Sequence, residues 1–192
     1  MSQDNQRVRL TKKLLKDSLI RLLQQNSIRK ISVREICECA EINRTTFYKY
    51  YGSQYDLLGD MENDIFLDIE GYLGSGGPQP ADAAQLTQIV RYLEANMAIC
   101  KVLLSNNVDP GFPEKMLNLP RIREMVALSI DQSGQSEREY ITRFLVDGCF
   151  GLIKLWVMKE NREPAEYIAV LLNQVILQSS GGPPPGPAPG PR

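Results

Sequence analysis

Histidine does not occur anywhere in this 192-residue chain. That removes the commonest metal ligand and the side chain best suited to move protons near neutral pH. No phosphate-binding loop, nucleophile elbow or paired acidic motif compensates for it, so neither an enzyme nor a bound cofactor or metal is expected. No run of eighteen apolar residues is present, which excludes a membrane-spanning helix from the expected architecture. The first residues lack the apolar core of a secretion signal, and a cytoplasmic location follows as an expectation. Cysteine is sparse: Cys37, Cys39, Cys100 and Cys149 do not fall at zinc-ligand spacings. They read as small buried hydrophobes, with a thiol sensor as the alternative.

What is present is enough for one or two packed domains, since 43% of the residues are hydrophobic. The net charge of −1 conceals an asymmetry. Residues 1–58 carry eleven Lys/Arg against six Asp/Glu, whereas residues 59–192 carry eleven against seventeen. A basic head on an acidic body suits a protein that presents one end to a polyanion. Within that head, Ser32-x-x-Glu35 is a capping box, and Val33, Ile36, Cys37 and Ala40 make one apolar face of a short helix. A four-residue turn, Ala40–Asn43, leads to a second helix over 44–51, with Asn43 as its cap and Phe47 packing inward. Ser53-x-x-Asp56 then opens a third. Two short helices joined by a tight turn have the geometry of a helix-turn-helix, whose second helix can lie in the DNA major groove.

The segments SVREICECAEI and NRTTFYKYYGSQYDLL resemble the DNA-binding domain of TetR-family transcriptional regulators. The Ser-Val-x-x-Ile helix and the Arg-x-Thr-Phe-Tyr recognition helix stand at the family's separation. Two departures are visible: Glu41 occupies a turn position where the family usually has glycine, and Gln54 replaces a common phosphate-binding lysine. The resemblance implies an all-α protein: a three-helix head over residues 7–70, with the helix-turn-helix at about 32–51, and a connecting helix leading into a C-terminal dimerisation and effector domain. It also implies that the tilt of the connecting helix transmits ligand binding.

Elsewhere the expectation is a disordered start over 1–6, an amphipathic helix over 7–25 capped by Thr11 with Lys12, Lys13 and Lys16 facing out, and a loop over 26–30. A helix over 53–73 is ended by Gly71 and then by a Gly/Pro/Ser boundary at 74–80. The C-terminal domain spans 82–178, with helices at 82–107, 121–129, 137–160 and 163–178 and, between the first two, a stretch that is largely loop with one short helix around 114–118. Ile141, Phe144, Leu145, Gly148, Leu152, Leu155 and Trp156, then Ile168, Leu171, Leu172, Val175 and Ile176, form two apolar stripes wider than a small body needs. A homodimer paired through 137–160 and 163–178 would bury the excess. Residues 179–192 read as a disordered Pro/Gly tail.

The expected function is a homodimeric repressor of transcription that binds a near-palindromic double-stranded operator. Two dimer shapes compete, one spacing the recognition helices by about 34–36 Å and the other favoured by a small-molecule or protein effector. Arg44, Thr45, Thr46 and Lys49 are the candidates for bases or register, Tyr48 and Tyr50 for phosphates. Asn43 and Thr11 are included among the DNA-binding candidates as helix caps. The effector-binding residues stay unassigned. Glu41 and Gln54 keep a second class open: a helical module that binds a regulatory protein instead of DNA.

Overall fold

The computed structural model describes residues 3–74, 83–105, 108–129 and 135–179, and the described residues contain helices and no strand. In chain order these are α1 Gln3–Leu23, a single 3-10 turn Ile28–Lys30, α2 Val33–Ala40, α3 Arg44–Phe47 and α4 Gln54–Gly74. There follow α5 Ala83–Ala95, α6 Met97–Leu103, α7 Phe112–Leu117, α8 Pro120–Ser129, α9 Gln135–Met158 and α10 Ala165–Ser179. Among the described residues no helix is long and apolar enough to cross a membrane. The expected Pro/Gly tail beyond Ser179, and most of the 74–80 and 131–136 stretches, lie outside the described residues.

Packing divides the chain into two compact units, Met1–Gly71 with Leu93–Met116, and Tyr72–Tyr92 with Leu117–Arg192. Composition suggests one cut near 74–80, but residues 93–116 group with the head. The physical reason lies in α6 and its neighbours: α6 packs against α1, and Cys100, Val102, Leu103, Leu104, Val108 and Phe112 are all buried.

In the first unit, Leu15, Leu19 and Leu23 of α1 meet a core that includes Ile36 and Cys37 of α2, Phe47 of α3, and Leu57, Met61 and Ile65 of α4. Ile28 and Ile31 are buried as well, so the expected loop at 26–30 carries a packed 3-10 turn. Two expectations at the amino terminus are corrected. The helix begins at Gln3, so much of the segment expected to be disordered is helical. Thr11 lies inside α1, where its hydroxyl donates to the Arg7 carbonyl at 2.9 Å; it caps nothing. Downstream, Gly71 lies inside α4 instead of ending it, and the single helix expected over 82–107 is interrupted at Asn96.

In the second unit, α8, α9 and α10 pack on one another, with Leu145 at the centre of Ile122, Ile141, Val146 and Val175. Trp156 is fully buried, and its indole N–H donates to the Glu163 carbonyl at 2.9 Å, which fixes the turn between α9 and α10. Arg91 of α5 donates from Nε and Nη2 to Glu166 Oε1 at the start of α10. The two expected apolar stripes separate here. Ile168, Leu172 and Ile176 are buried core positions of the unit. On α9, Leu145 and Trp156 point inward, whereas Tyr140, Phe144, Gly148, Gly151, Leu155 and Met158 form one exposed line.

Candidate nucleic-acid interface

The helix-turn-helix is built from local hydrogen bonds. Ser32 Oγ accepts the Glu35 backbone N–H at 3.3 Å while the Ser32 N–H donates to Glu35 Oε2 at 2.8 Å, completing the capping box. These hydroxyl and backbone donors hold the Glu35 carboxyl below its usual range. At the far end of α2, Glu41 adopts φ 55° and ψ 37°, the one non-glycine residue with positive φ among those described. That left-handed residue lets the Ile42 N–H reach back to the Cys37 carbonyl at 2.9 Å. Here the glycine of the usual turn is replaced by a side chain that costs about 1 kcal/mol or more in this conformation. Asn43 Oδ1 then accepts the Thr45 N–H at 2.9 Å and starts α3.

The regular part of α3 is shorter than expected, ending at Phe47. Beyond it the chain tightens: the Lys49 and Tyr50 N–H groups bond to the Thr46 and Phe47 carbonyls three residues back. Asn43, Arg44, Thr45, Tyr48 and Lys49 are exposed, whereas Thr46 and Tyr50 are half-buried. Phe47 is fully buried, with the Tyr48 ring edge-on at 5.6 Å and the Tyr51 ring at 5.7 Å. A shallow depression beside the turn is lined by Arg34, Cys37, Glu38, Glu41, Ile42, Asn43 and Arg44. The structure thus brings Asn43, Arg44, Thr45, Tyr48 and Lys49 onto one exposed segment and leaves Thr11 on another helix.

What fixes this segment is a charge cluster that sequence reasoning missed. The Tyr51 hydroxyl donates to Asp60 Oδ2 at 2.6 Å, and Lys16 Nζ lies 2.9 Å from the same oxygen and 2.5 Å from Asp64 Oδ2. Lys12 adds a longer pair to Asp60, 3.6 Å, and sits 5.3 Å from the Tyr51 ring centroid. Burial works against the Asp60 charge, but the Tyr51 hydroxyl and the two lysines outweigh it and hold its carboxyl below the usual range. Burial together with the Asp60 carboxylate pushes the Tyr51 phenol up. Lys12 and Lys16, expected to face outward, are therefore engaged with α4, and Lys13 is the exposed lysine of that group. The signal was legible: Lys12/Lys16 and Asp60/Asp64 share a four-residue spacing, so both pairs fall on single helix faces.

At the carboxy side, Ser53 Oγ accepts the Asp56 N–H at 3.3 Å, and Asp56 Oδ2 accepts the Gly52 N–H at 2.9 Å. A Cβ at position 52 would meet that same oxygen at 2.9 Å, so a larger residue there would have to displace the Asp56 carboxylate.

A short capped helix held out from a three-helix core by a buried phenylalanine, with polar and basic side chains outward, defines a helix-turn-helix DNA-binding protein. The family model described as "Bacterial regulatory proteins, tetR family" matches residues 17–61, and a "Transcriptional regulator C-terminal region" model matches 83–178, half of the chain. The chain belongs to the TetR family of transcriptional regulators, which are DNA-binding transcription factors and not enzymes. It is 33% identical over 91 residues to the HTH-type dhaKLM operon transcriptional activator DhaS of Lactococcus lactis subsp. lactis (strain IL1403). That match covers 45% of this chain and 45% of the relative, so under half of the relative's length is spanned. Among solved structures, a TetR transcriptional regulator from Streptococcus agalactiae 2603V is similar at TM-score 0.63 and 22% identity, over 88% of this chain and 97% of that one. The dihydroxyacetone kinase operon activator DhaS is similar at TM-score 0.57 and 20% identity, over 88% and 94%. Both carry the fold.

Proposed function

We propose that this regulator is a cytoplasmic homodimer that reads a near-palindromic duplex with α3 and is controlled by an effector in its C-terminal domain. The observation that carries the reading is the division of labour along α3. Phe47 anchors the helix in the core while Arg44, Thr45 and Lys49 remain exposed with no ion pair among the described residues. Arg44 stands at the helix's first position, the end that meets base edges in helix-turn-helix proteins. Thr45 and half-buried Thr46 supply hydroxyls beside it, Lys49, Tyr48 and Tyr50 supply phosphate donors, and the Asn43 cap sets the entry of the helix. Thr11, back-bonded within α1, serves register at most through its helix; exposed Arg7, Arg9 and Lys13 are the better phosphate candidates there.

Dimerisation is supported by the exposed line on α9. Its residues recur at three- and four-residue steps, and Tyr140, Phe144 and Leu155 are 77%, 72% and 65% exposed. A Cβ at Gly148 or Gly151 would meet nothing within 4 Å, so these glycines leave a smooth, open strip on which another helix backbone can approach. Tyr167 and Val170 of α10 are exposed as well. A second copy of the same pair, forming a four-helix interface, fits this surface.

Repression is the simplest outcome, because a dimer covering a promoter excludes polymerase without further contacts. The Lactococcus relative is described as an activator, and that favours a second reading in which the bound dimer recruits polymerase. Sequencing duplexes selected by the purified protein tests the central claim: an inverted repeat with half-sites one helical turn apart is expected. Retention of no duplex at low salt would instead favour the protein-interaction module. A reporter with the selected site upstream of, or overlapping, a promoter then separates activation from repression.

A further inference from the structure

The middle of α4 is held from two sides at one level. Asp60 binds Tyr51 and Lys16, as described above. Two residues on, Glu62 is 3% exposed although it is a carboxylate; its Oε2 accepts Lys115 Nζ at 2.7 Å, and its Oε1 has no hydrogen-bond partner among the described residues. Lys115, on α7, also reaches Asp109 Oδ2 at 2.6 Å, and Asp109 Oδ1 accepts the Gly111 N–H at 2.8 Å. One turn along α4, the Phe66 ring stacks on Phe112 at 5.3 Å between centroids, with 18° between planes. All of these residues belong to the first unit. Successive helical residues rotate by about 100°, so positions 60 and 62 face nearly opposite sides of α4.

We propose that Glu62, Asp109 and Lys115 form a charge latch that sets the position of α4 and, through Asp60 and Tyr51, the position of the recognition helix. The inference rests on the reading that effector control reaches DNA affinity through α4. A carboxylate this buried is costly unless it is paired, so Glu62 has few acceptable positions. Burial pushes its carboxyl up against the pull of Lys115, whereas Asp109 is held below its usual range by Lys115 and the Gly111 N–H despite its own burial. Lys115 is thus shared between two carboxyl groups, and moving it disturbs both. A shift of the 109–115 segment must then either drag α4 along or strand a buried charge. On the opposite face, Tyr51 follows directly on the recognition segment and donates to Asp60, so a shift of α4 is delivered to Phe47 and Tyr48. Glu62, Asp109 and Lys115 are positioning residues, acting on DNA only through α4.

The test compares Lys115→Met, Lys115→Arg and the double variant Glu62→Gln with Lys115→Met, which removes the buried charge at position 62 while Asp109 keeps the Gly111 N–H, and so keeps the fold measurable if the single variant unfolds. Amide hydrogen exchange is read without DNA over residues 44–58 and 109–117, and affinity is read with the selected duplex. The latch predicts that Lys115→Met or the double variant raises exchange several-fold in both segments and changes duplex affinity at least five-fold. It also predicts that Lys115→Arg restores both readouts. Faster exchange confined to 109–117 with unchanged duplex affinity would overturn the latch, as would failure of Lys115→Arg to restore a lost signal. If the unmodified protein bound no duplex, the DNA-binding reading would fall, and the exchange comparison would still decide the latch.

Discussion

Phe47 and Phe144 are the same side chain in opposite circumstances. Phe47 belongs to a helical segment of four residues and is fully buried; Phe144 lies near the middle of a 24-residue helix and is 72% exposed. A short helix has almost no stability of its own, so α3 exists because its phenylalanine is inserted in the head and its termini are bonded by Asn43 and the Phe47 carbonyl. The long α9 is anchored elsewhere, by Leu145 and Trp156, and can leave a line of apolar residues facing outward. In one region the aromatic residue makes the element. In the other the element presents the aromatic residue.

That contrast is sharpest at Phe47→Ala, which should destabilise the head by about 3–5 kcal/mol. Chemical denaturation followed by circular dichroism would measure it, and Phe144→Ala should cost the isolated chain far less. Equal losses would erase the distinction between the two sites. Next in size, Phe144→Arg combined with Leu155→Arg should weaken self-association by two to three orders of magnitude, since an unpaired buried charge costs about 3–5 kcal/mol. Sedimentation should show a folded monomer; a dimer unchanged in strength would move the interface off α9. By contrast, Leu152 and Leu171 are half-buried within the unit, so charges there should unfold it before they separate two copies.

Within the head, Arg44→Ala should lose about 1–3 kcal/mol of preference for the selected duplex while keeping most non-specific binding. Lys49→Ala should weaken all duplexes alike and flatten the salt slope by about one unit. An unchanged ratio of selected to random affinity in Arg44→Ala would move base reading to Thr45 and Thr46. A smaller effect is expected at Asp60→Asn, about 1–2 kcal/mol at neutral pH, from lost charge-assisted hydrogen bonds to Tyr51 and Lys16. The Asp60 carboxyl titrates below its ordinary value in the folded head. Its contribution is therefore complete above the unfolded value of about 3.9 and is lost as pH falls through the lower folded value. Denaturation midpoints of the two proteins should converge in strong acid, and a constant gap down to that range would exclude the linkage. Smallest of all, Glu41→Gly should stabilise the turn by up to about 1 kcal/mol, the relief of left-handed strain less the extra backbone entropy of glycine. A lower melting temperature would show that the Glu41 side chain contributes an interaction of its own.

Sequence alone was enough for the helix-turn-helix because each of its signals is local. The Ser32/Glu35 box, the Asn43 cap and the Ser53/Asp56 start are satisfied within four residues, and Phe47 and Ile36 read as core from their spacing. The same logic placed the ends of α9 and α10 within a few residues. It failed where a local pattern had two uses. Thr11 carries an acceptable cap chemistry, but preceding residues that also favour helix moved the start to Gln3 and turned its hydroxyl back onto Arg7.

The tertiary structure decided everything that depends on which of two helix faces turns inward. Ile168, Leu172 and Ile176 cannot be told from an interface by periodicity, since core and interface demand the same apolar spacing; packing against α9 assigns them inward. Lys12 and Lys16 read as solvated until the opposite charges of Asp60 and Asp64 are brought beside them from almost fifty residues away. Glu62 reads as one more acidic residue on an acidic body until burial leaves it dependent on Lys115. Short-range hydrogen bonds are written in neighbouring letters, and the sequence determined them. Desolvation and long-range ion pairing depend on what arrives from elsewhere in the chain, and only the folded structure decides that.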